Sequence, residues 1–184
     1  MSQTSIVMAG FGGQGVMSIG KILAKAAIHE GREVTWLPSY GPEMRGGTAN
    51  CTVVVADAPI GSPLVKFPDA AIVMNKQSID RFEAEVRPGG LIVVNTALID
   101  RRVERRDLTA IYVDANAIAE AAGAPRSANL AILGAFMAGG LDVLPLAAIE
   151  AAIGQTFAGK PPEVLAQNLQ VFLRGLEAGQ RTTN

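Results

Sequence analysis

Ile6-Val7-Met8-Ala9-Gly10-Phe11-Gly12-Gly13-Gln14-Gly15-Val16 is the stretch that most constrains what this chain can fold into. An apolar run of strand length meets a glycine-dense turn, and a helical pattern begins directly behind it. Gly10, Gly12 and Gly15 spell G-x-G-x-x-G in the strand–turn–helix context where that spacing carries meaning. Glycine permits φ > 0 in the turn and lets another group approach the bare backbone. Free N–H groups at the helix start, with the dipole behind them, favour an anion by roughly 0.3–1 kcal/mol, or ~2 kcal/mol when partly buried. A tight turn that packs closely and binds nothing has the same spacing, so the motif by itself leaves both readings open.

Two nucleotide readings fail within the sequence. A dinucleotide fold wants Asp or Glu about 20 residues on, at the end of the second strand, for a ribose hydroxyl. That strand reads Glu33-Val34-Thr35-Trp36-Leu37 and runs into Pro38-Ser39-Tyr40, so Glu33 sits at the wrong end. No carboxylate stands where the ribose would lie. Gly15-Val16-Met17-Ser18-Ile19-Gly20-Lys21 imitates the start of a phosphate-binding G-x-x-x-x-G-K loop, but Ile22 follows where Ser or Thr must hold Mg²⁺. Neither NAD nor a nucleoside triphosphate is expected.

A length of 184 residues suits one domain with a sizeable core and is short for two, so residues 1–184 are expected to form a single unit. Apolar residues make up 49% of the chain and charged residues 18%. That surplus implies either a buried parallel sheet plus surface covered by partner subunits, or an Ala-rich helical packing. No apolar run approaches the ~18 residues needed to span a bilayer, and no basic start with a cleavage site precedes one. A net charge of −1 supplies no global field for nucleic acid or membranes. The basic cluster Arg101-Arg102 with Arg105-Arg106 is interleaved with Glu104 and Asp107 and reads as a solvated loop. Cys51 is the only cysteine, which rules out an internal disulfide and fits a reducing, cytoplasmic setting. It also rules out an iron–sulfur cluster held by this chain alone. With His29 as the only histidine, a zinc site is not expected.

Taken in order, strands are expected over 5–9, 33–37, 48–56, 70–74, 91–94 and 111–113. Helices are expected over 14–30, 77–86, 115–122, 128–138, 145–157 and 161–178, with 181–184 as a frayed tail. Val16, Ile19, Leu23 and Ala26-Ala27 fall on one face of the first helix, and Gly31 closes it. Leu165, Leu169, Phe172 and Leu176 make a core stripe on the last. Val- and Ile-rich runs separated by helical crossovers predict an α/β fold. Its form is three-layered: a mostly parallel, Rossmann-like sheet, helices on both faces and a helical C-terminal part. The second and third strands are joined without a helix, which predicts one antiparallel pair.

The loop between those strands reads Ser39-Tyr40-Gly41-Pro42-Glu43-Met44-Arg45-Gly46-Gly47. It should emerge beside the glycine turn, at the carboxyl edge where ligands of α/β sheets bind. Tyr40 offers a π-face and a hydroxyl, Arg45 a planar cation and Glu43 an acceptor. A surface hairpin whose Glu43 and Arg45 meet only solvent is the bland alternative.

These two motifs in register resemble the gamma subunit of 2-oxoacid:ferredoxin oxidoreductases, in particular the separate gamma chain of the 2-oxoglutarate and 2-ketoisovalerate enzymes. The similarity extends through Asp69 and the fourth strand, Pro88-Gly89-Gly90 with Asn95, and the helix at 129–134, and so covers nearly the whole chain. The resemblance implies a complex that decarboxylates a 2-oxoacid on thiamine diphosphate and Mg²⁺. Electrons pass through 4Fe–4S clusters to ferredoxin, and the acyl group goes to coenzyme A. It further implies that thiamine and cluster sites lie on alpha, beta and delta partner chains, while the gamma domain closes over the active site and helps hold coenzyme A. By motif position, Gly10, Gly12, Gly13, Gln14 and Gly15 would form a backbone cradle for a phosphate or a partner's loop. Ser39, Tyr40, Glu43 and Arg45 would face the coenzyme or a catalytic subunit. No catalytic residue and no metal ligand is implied on this chain. A non-catalytic assembly subunit that binds no coenzyme is the competing expectation.

Overall fold

The computed structural model of the chain describes residues 2–40 and 47–182. Its strands are β1 (Gln3–Phe11), β2 (Glu33–Tyr40), β3 (Thr48–Ala56), β4 (Ala70–Val73), β5 (Leu91–Asn95) and β6 (Thr109–Val113). Its helices are α1 (Val16–His29), α2 (Lys76–Glu85), α3 (Ala115–Ala121), α4 (Ala128–Met137), α5 (Leu146–Thr156) and α6 (Pro162–Thr182), with a 3-10 turn at Pro125–Ser127. The strands form one sheet in the order β2-β3-β1-β4-β5-β6.

β4, β5 and β6 extend the sheet parallel to β1, whereas β3 is antiparallel to both β1 and β2. The single antiparallel pair expected from the sequence is therefore two, because β3 inserts between its neighbours rather than lying outside β2. Burial explains the order. Val53, Val54 and Val55 are each fully buried, so both faces of β3 must be covered and its edges paired. β2 carries Glu33, Pro38 and Ser39 and takes the sheet edge, where the N–H that Pro38 lacks is not missed. That edge position lets β2 continue through Pro38 to Tyr40, beyond the predicted stop at Leu37.

The two faces are covered unequally. On one, α1, α3, α4, α5 and α6 pack on alternate residues such as Ile6, Met8, Cys51, Val53, Ile72 and Val93. On the other, α2 lays Ile79 and Phe82 on Val7, Ala9, Val73 and Val94. Each such fully buried side chain contributes ~1.5–3 kcal/mol by leaving water. Leu130–Phe136 of α4 are all buried, and α6 crosses it at Gly134 and Gly175. Among the described residues no helix is long and apolar enough to cross a membrane.

The second face is completed by the arginine-rich segment, which is a packed strap rather than the solvated loop expected from its charges. Glu83 of α2 is 6% exposed and anchors it. Its Oε2 meets Arg101 Nη1 at 2.7 Å, and its Oε1 accepts the N–H of Arg105 at 3.0 Å and of Glu104. Arg101 also reaches Asp80, at 2.9 Å, and Arg105 caps the carbonyls of Glu83 and Val86. Burial alone would raise the Glu83 carboxyl, but the Arg105 N–H, the Arg101 guanidinium and the Glu104 N–H together hold it below the usual carboxylate range. A folded-state pKa below the unfolded one stabilises above the ordinary carboxylate range and is lost as pH falls through it. Glu83→Gln is expected to cost about 1–2 kcal/mol in urea unfolding near neutral pH. The gap to wild type should close as unfolding is repeated at progressively lower pH. A gap that persists in acid would mean that shape, not charge, holds the strap.

Candidate functional site

β1 and β2 are both antiparallel to β3, hence parallel to each other, so the carboxyl ends of β1, β2, β4, β5 and β6 share one edge. The chain departs from β1 to α1 on one face of the sheet and from β4 to α2 on the other. Such a switch leaves a crevice outside the strand ends.

The glycine loop is braced from within. Gln14 Oε1 accepts the N–H of Phe11 at 2.6 Å and its Nε2 donates to the carbonyl of Met74 at 3.1 Å, tying the turn to the end of β4. A Cβ on Gly10 would fall 2.5 Å from Gln14 Oε1 and 3.1 Å from Met74 Cβ, so Gly10 makes room for that brace. Gly12 donates its N–H to the carbonyl of Gly47 at 2.9 Å, joining the two motifs directly. Gly15 is the N-cap of α1 at φ 79, and a Cβ there would meet the Asn129 side chain at 2.7 Å. Asn129 in turn donates to the Gly15 carbonyl at 3.4 Å. Gly13 differs from Gly10 and Gly15: its φ is +101, but a Cβ would find nothing within 4 Å. Open space lies over it.

Among the described residues the N–H groups of Gly13, Gly15, Val16 and Met17 donate to no backbone carbonyl. Those are the unpaired donors of a helix start, and they suit an anion. Gly13 and Gln14 border a cleft of about 330 Å³ whose other walls are Met74, Leu98, Asn116, Pro125, Arg126 and Ala128. Among the described residues no carboxylate lines it, and Arg126 brings a cation. Leu98 is 47% exposed at its rim.

Ser39 and Tyr40, both exposed, end β2 opposite Asn50 and Ala49, with β3 between them and the glycine loop. Glu43 and Arg45 lie outside the described residues. Asp69 sits at the opposite edge, where it accepts the Ser5 N–H at 2.6 Å and pairs with Arg87 at 2.6 Å, a structural clasp remote from the cleft. Asn116 and Arg126, which line the cleft, were not singled out by the sequence reading. Each is an isolated polar residue in a helix-rich stretch, and only the chain's return to the carboxyl edge gives it a partner surface.

Residues 5–178 match the family described as pyruvate ferredoxin/flavodoxin oxidoreductase. The ketoisovalerate oxidoreductase subunit VorA of Methanothermobacter marburgensis is 44% identical over 177 residues, which are 96% of this chain and 36% of that protein. The chain thus spans about a third of that relative's length. The 2-oxoglutarate synthase subunit KorC of Methanocaldococcus jannaschii is 32% identical over 178 residues, 95% of this chain and 93% of that one. Among solved structures, the gamma subunit of keto/oxoacid ferredoxin oxidoreductase from Geobacter sulfurreducens PCA superposes with a TM-score of 0.86 at 26% identity, covering both chains completely. Its fold and the present one are the same throughout. The chain belongs to the pyruvate ferredoxin/flavodoxin oxidoreductase family.

Proposed function

We propose that residues 1–184 act as the gamma-type component of a 2-oxoacid:ferredoxin oxidoreductase and form the phosphate-binding wall of a coenzyme A site. The observation that carries the coenzyme reading is the cleft itself: among the described residues, the Gly13 and Gly15 N–H groups meet no backbone carbonyl, Arg126 brings a cation and no carboxylate lines it. Coenzyme A is anionic through its phosphates, and donors in a fixed turn suit a phosphate without needing a catalytic side chain. When bound, the coenzyme supplies the thiol that takes the acyl group. The residues of this chain bind and orient it: the glycine loop (Gly10, Gly12, Gly13, Gln14, Gly15) through its backbone, and Ser39, Tyr40, Glu43 and Arg45 from the neighbouring loop.

The match to KorC, a 2-oxoglutarate synthase subunit, supports assembly with partner components, which in this reading are alpha, beta and delta. Thiamine diphosphate, Mg²⁺ and the 4Fe–4S clusters belong to those partners in this reading, with ferredoxin as the final acceptor. Cys51 is a poor cluster ligand, because its thiol is fully buried and resists ionisation, whereas iron is held by thiolates. A pure assembly role is favoured by one observation: Tyr40 and Leu98, at the same edge, are 53% and 47% exposed and suited to a partner surface.

Gly13→Val separates the two roles. With open space above Gly13, the substitution costs only the strain of a branched residue at positive φ, roughly 1–2 kcal/mol, and the fold should persist by circular dichroism. Coenzyme A titrated calorimetrically into the full chain should bind to wild type and lose at least about tenfold in affinity in the variant. Wild-type affinity in the folded variant would remove the glycine loop from the coenzyme site. If only assembly with partner chains suffers, the loop serves the interface.

A further inference from the structure

The far wall of the cleft comes from segments that carry no motif. Asn95, at the end of β5, is fully buried. Its Oδ1 accepts the N–H of Ala97 at 3.3 Å and of Ala115 at 3.1 Å, so the two backbone donors fix which end of the amide is oxygen. Its Nδ2 must then donate, and it does, to Asn116 Oδ1 at 3.1 Å. This orients the second amide in turn. The acceptor of Asn116 is occupied, and its Nδ2, which has no acceptor among the described residues, is the group it brings to the cleft it lines. Arg126, exposed in the 3-10 turn ahead of α4, lines the same cleft and forms no ion pair among the described residues.

We infer that Asn116 and Arg126 form an anion clamp facing the glycine loop, and that the group it takes is the diphosphate of the coenzyme. The inference rests on the coenzyme A reading above and adds the residues and the ligand group. Among the described residues, the side-chain groups left to this wall, the Asn116 amide N–H and the Arg126 guanidinium, are donors. A diphosphate presents oxygens on two linked centres, which suits donors arriving from two walls, and a guanidinium holds a phosphate with parallel hydrogen bonds. A 3′-phosphate elsewhere on the coenzyme would need only one wall. Asn95 touches no ligand in this arrangement. It is a positioning residue that sets which end of the Asn116 amide meets the anion.

The test is calorimetric titration of the full chain with coenzyme A and with 3′-dephospho-coenzyme A. Wild type should bind the two within about threefold of each other, and Arg126→Ala should weaken both at least about tenfold. Asn116→Asp should lose more than Asn116→Ala, because it sets a negative charge against the anion. Asn95→Asp should accept from Asn116 Nδ2, turn the Asn116 carbonyl toward the cleft and lose as much as Asn116→Ala, with no further loss in the double variant. If Asn95→Asp does not fold, the exposed Arg126 and half-buried Asn116 variants decide. Wild-type binding by those variants, with coenzyme A still bound by the wild-type chain, overturns the clamp and leaves the coenzyme reading intact. Dephospho-coenzyme A binding as weakly as to Arg126→Ala overturns the diphosphate assignment in favour of the 3′-phosphate. Absence of any binding to wild type overturns both the clamp and the coenzyme reading.

Discussion

Gly175→Ala is expected to destabilise the protein by about 3 kcal/mol or more, although alanine is the better helix former by ~1 kcal/mol. A Cβ on Gly175 would fall 2.0 Å from the carbonyl oxygen of Ala131, and one on Gly134 would fall 2.0 Å from that of Phe172. Each glycine of this crossing therefore faces the other helix's backbone. A flexible side chain could rotate away from such a contact, but a carbonyl inside a hydrogen-bonded helix cannot. The clash can be relieved only by moving α6 away from α4. That movement would open space around Phe136 and Phe172, which are 1% and 0% exposed, and lose dispersion contacts along the whole crossing. Gly154→Ala in α5 is the control, because a Cβ there has nothing within 4 Å and helix propensity alone should act. Urea unfolding of the two variants should therefore shift in opposite directions. Stabilisation by both substitutions would mean that the helices pack further apart than the crossing described above.

Alkaline pH should destabilise the protein through Cys51. The thiol lies beneath α1, where it donates to the Val16 carbonyl at 3.4 Å. A Cβ on Gly20 would come within 2.7 Å of both the Cys51 sulfur and the Trp36 indole nitrogen, so the helix backbone packs directly on both groups. Burial pushes the thiol up to about 12, outweighing the opposing pull of the Trp36 side chain and the Gly20 N–H. A pKa raised on folding gives stability that is complete below the unfolded value, near 9.0, and is lost as pH rises from there toward the folded value. The native state should thus lose about 1.4 kcal/mol per pH unit over that interval from this group alone, up to roughly 4 kcal/mol. Cys51→Val, nearly isosteric and unable to ionise, isolates the contribution from lysine and tyrosine titration. The stability difference between wild type and Cys51→Val should grow with pH above 9.0 and be flat below it. Parallel curves across the whole range would place the thiol in contact with water. Alkylation of the native protein by a neutral reagent at mild pH should also be far slower than alkylation of the unfolded chain.

The core elements were legible because their physics is local. β1, α1, β3 and α6 declare themselves through apolar periods that match a strand or a helix, although the first helix, expected from residue 14, starts at Val16 behind the Gly15 cap. The expected boundaries missed where tertiary contacts extend an element: β1 continues through Gly10 to Phe11 because β3 pairs with it as far as Thr48. The arginine strap was misread because its charges alternate in sequence as a solvated loop's would. Nothing local shows that Glu83, on another element, would be buried beneath them. The cleft was half legible. Gly13 and Gln14 stand in a motif, whereas Asn116 and Arg126 become a wall only when β6 and the turn before α4 bring them back to the carboxyl edge.

The sequence alone determined the class of the fold, the position of the glycine turn and the lack of a ribose carboxylate or a Mg²⁺ hydroxyl at the motif spacings. These follow from side-chain periodicity and from residue types at fixed short spacing. The tertiary structure decided that β3 inserts antiparallel between β1 and β2, because strand order depends on which strand can have both faces covered. It also decided how the motif glycines divide their work. Gly10 and Gly15 are taken up by close approach of Gln14 and Asn129, while Gly13 opens onto space. Glycines look alike in sequence, and only the atoms packed around each one distinguish a contact from a vacancy.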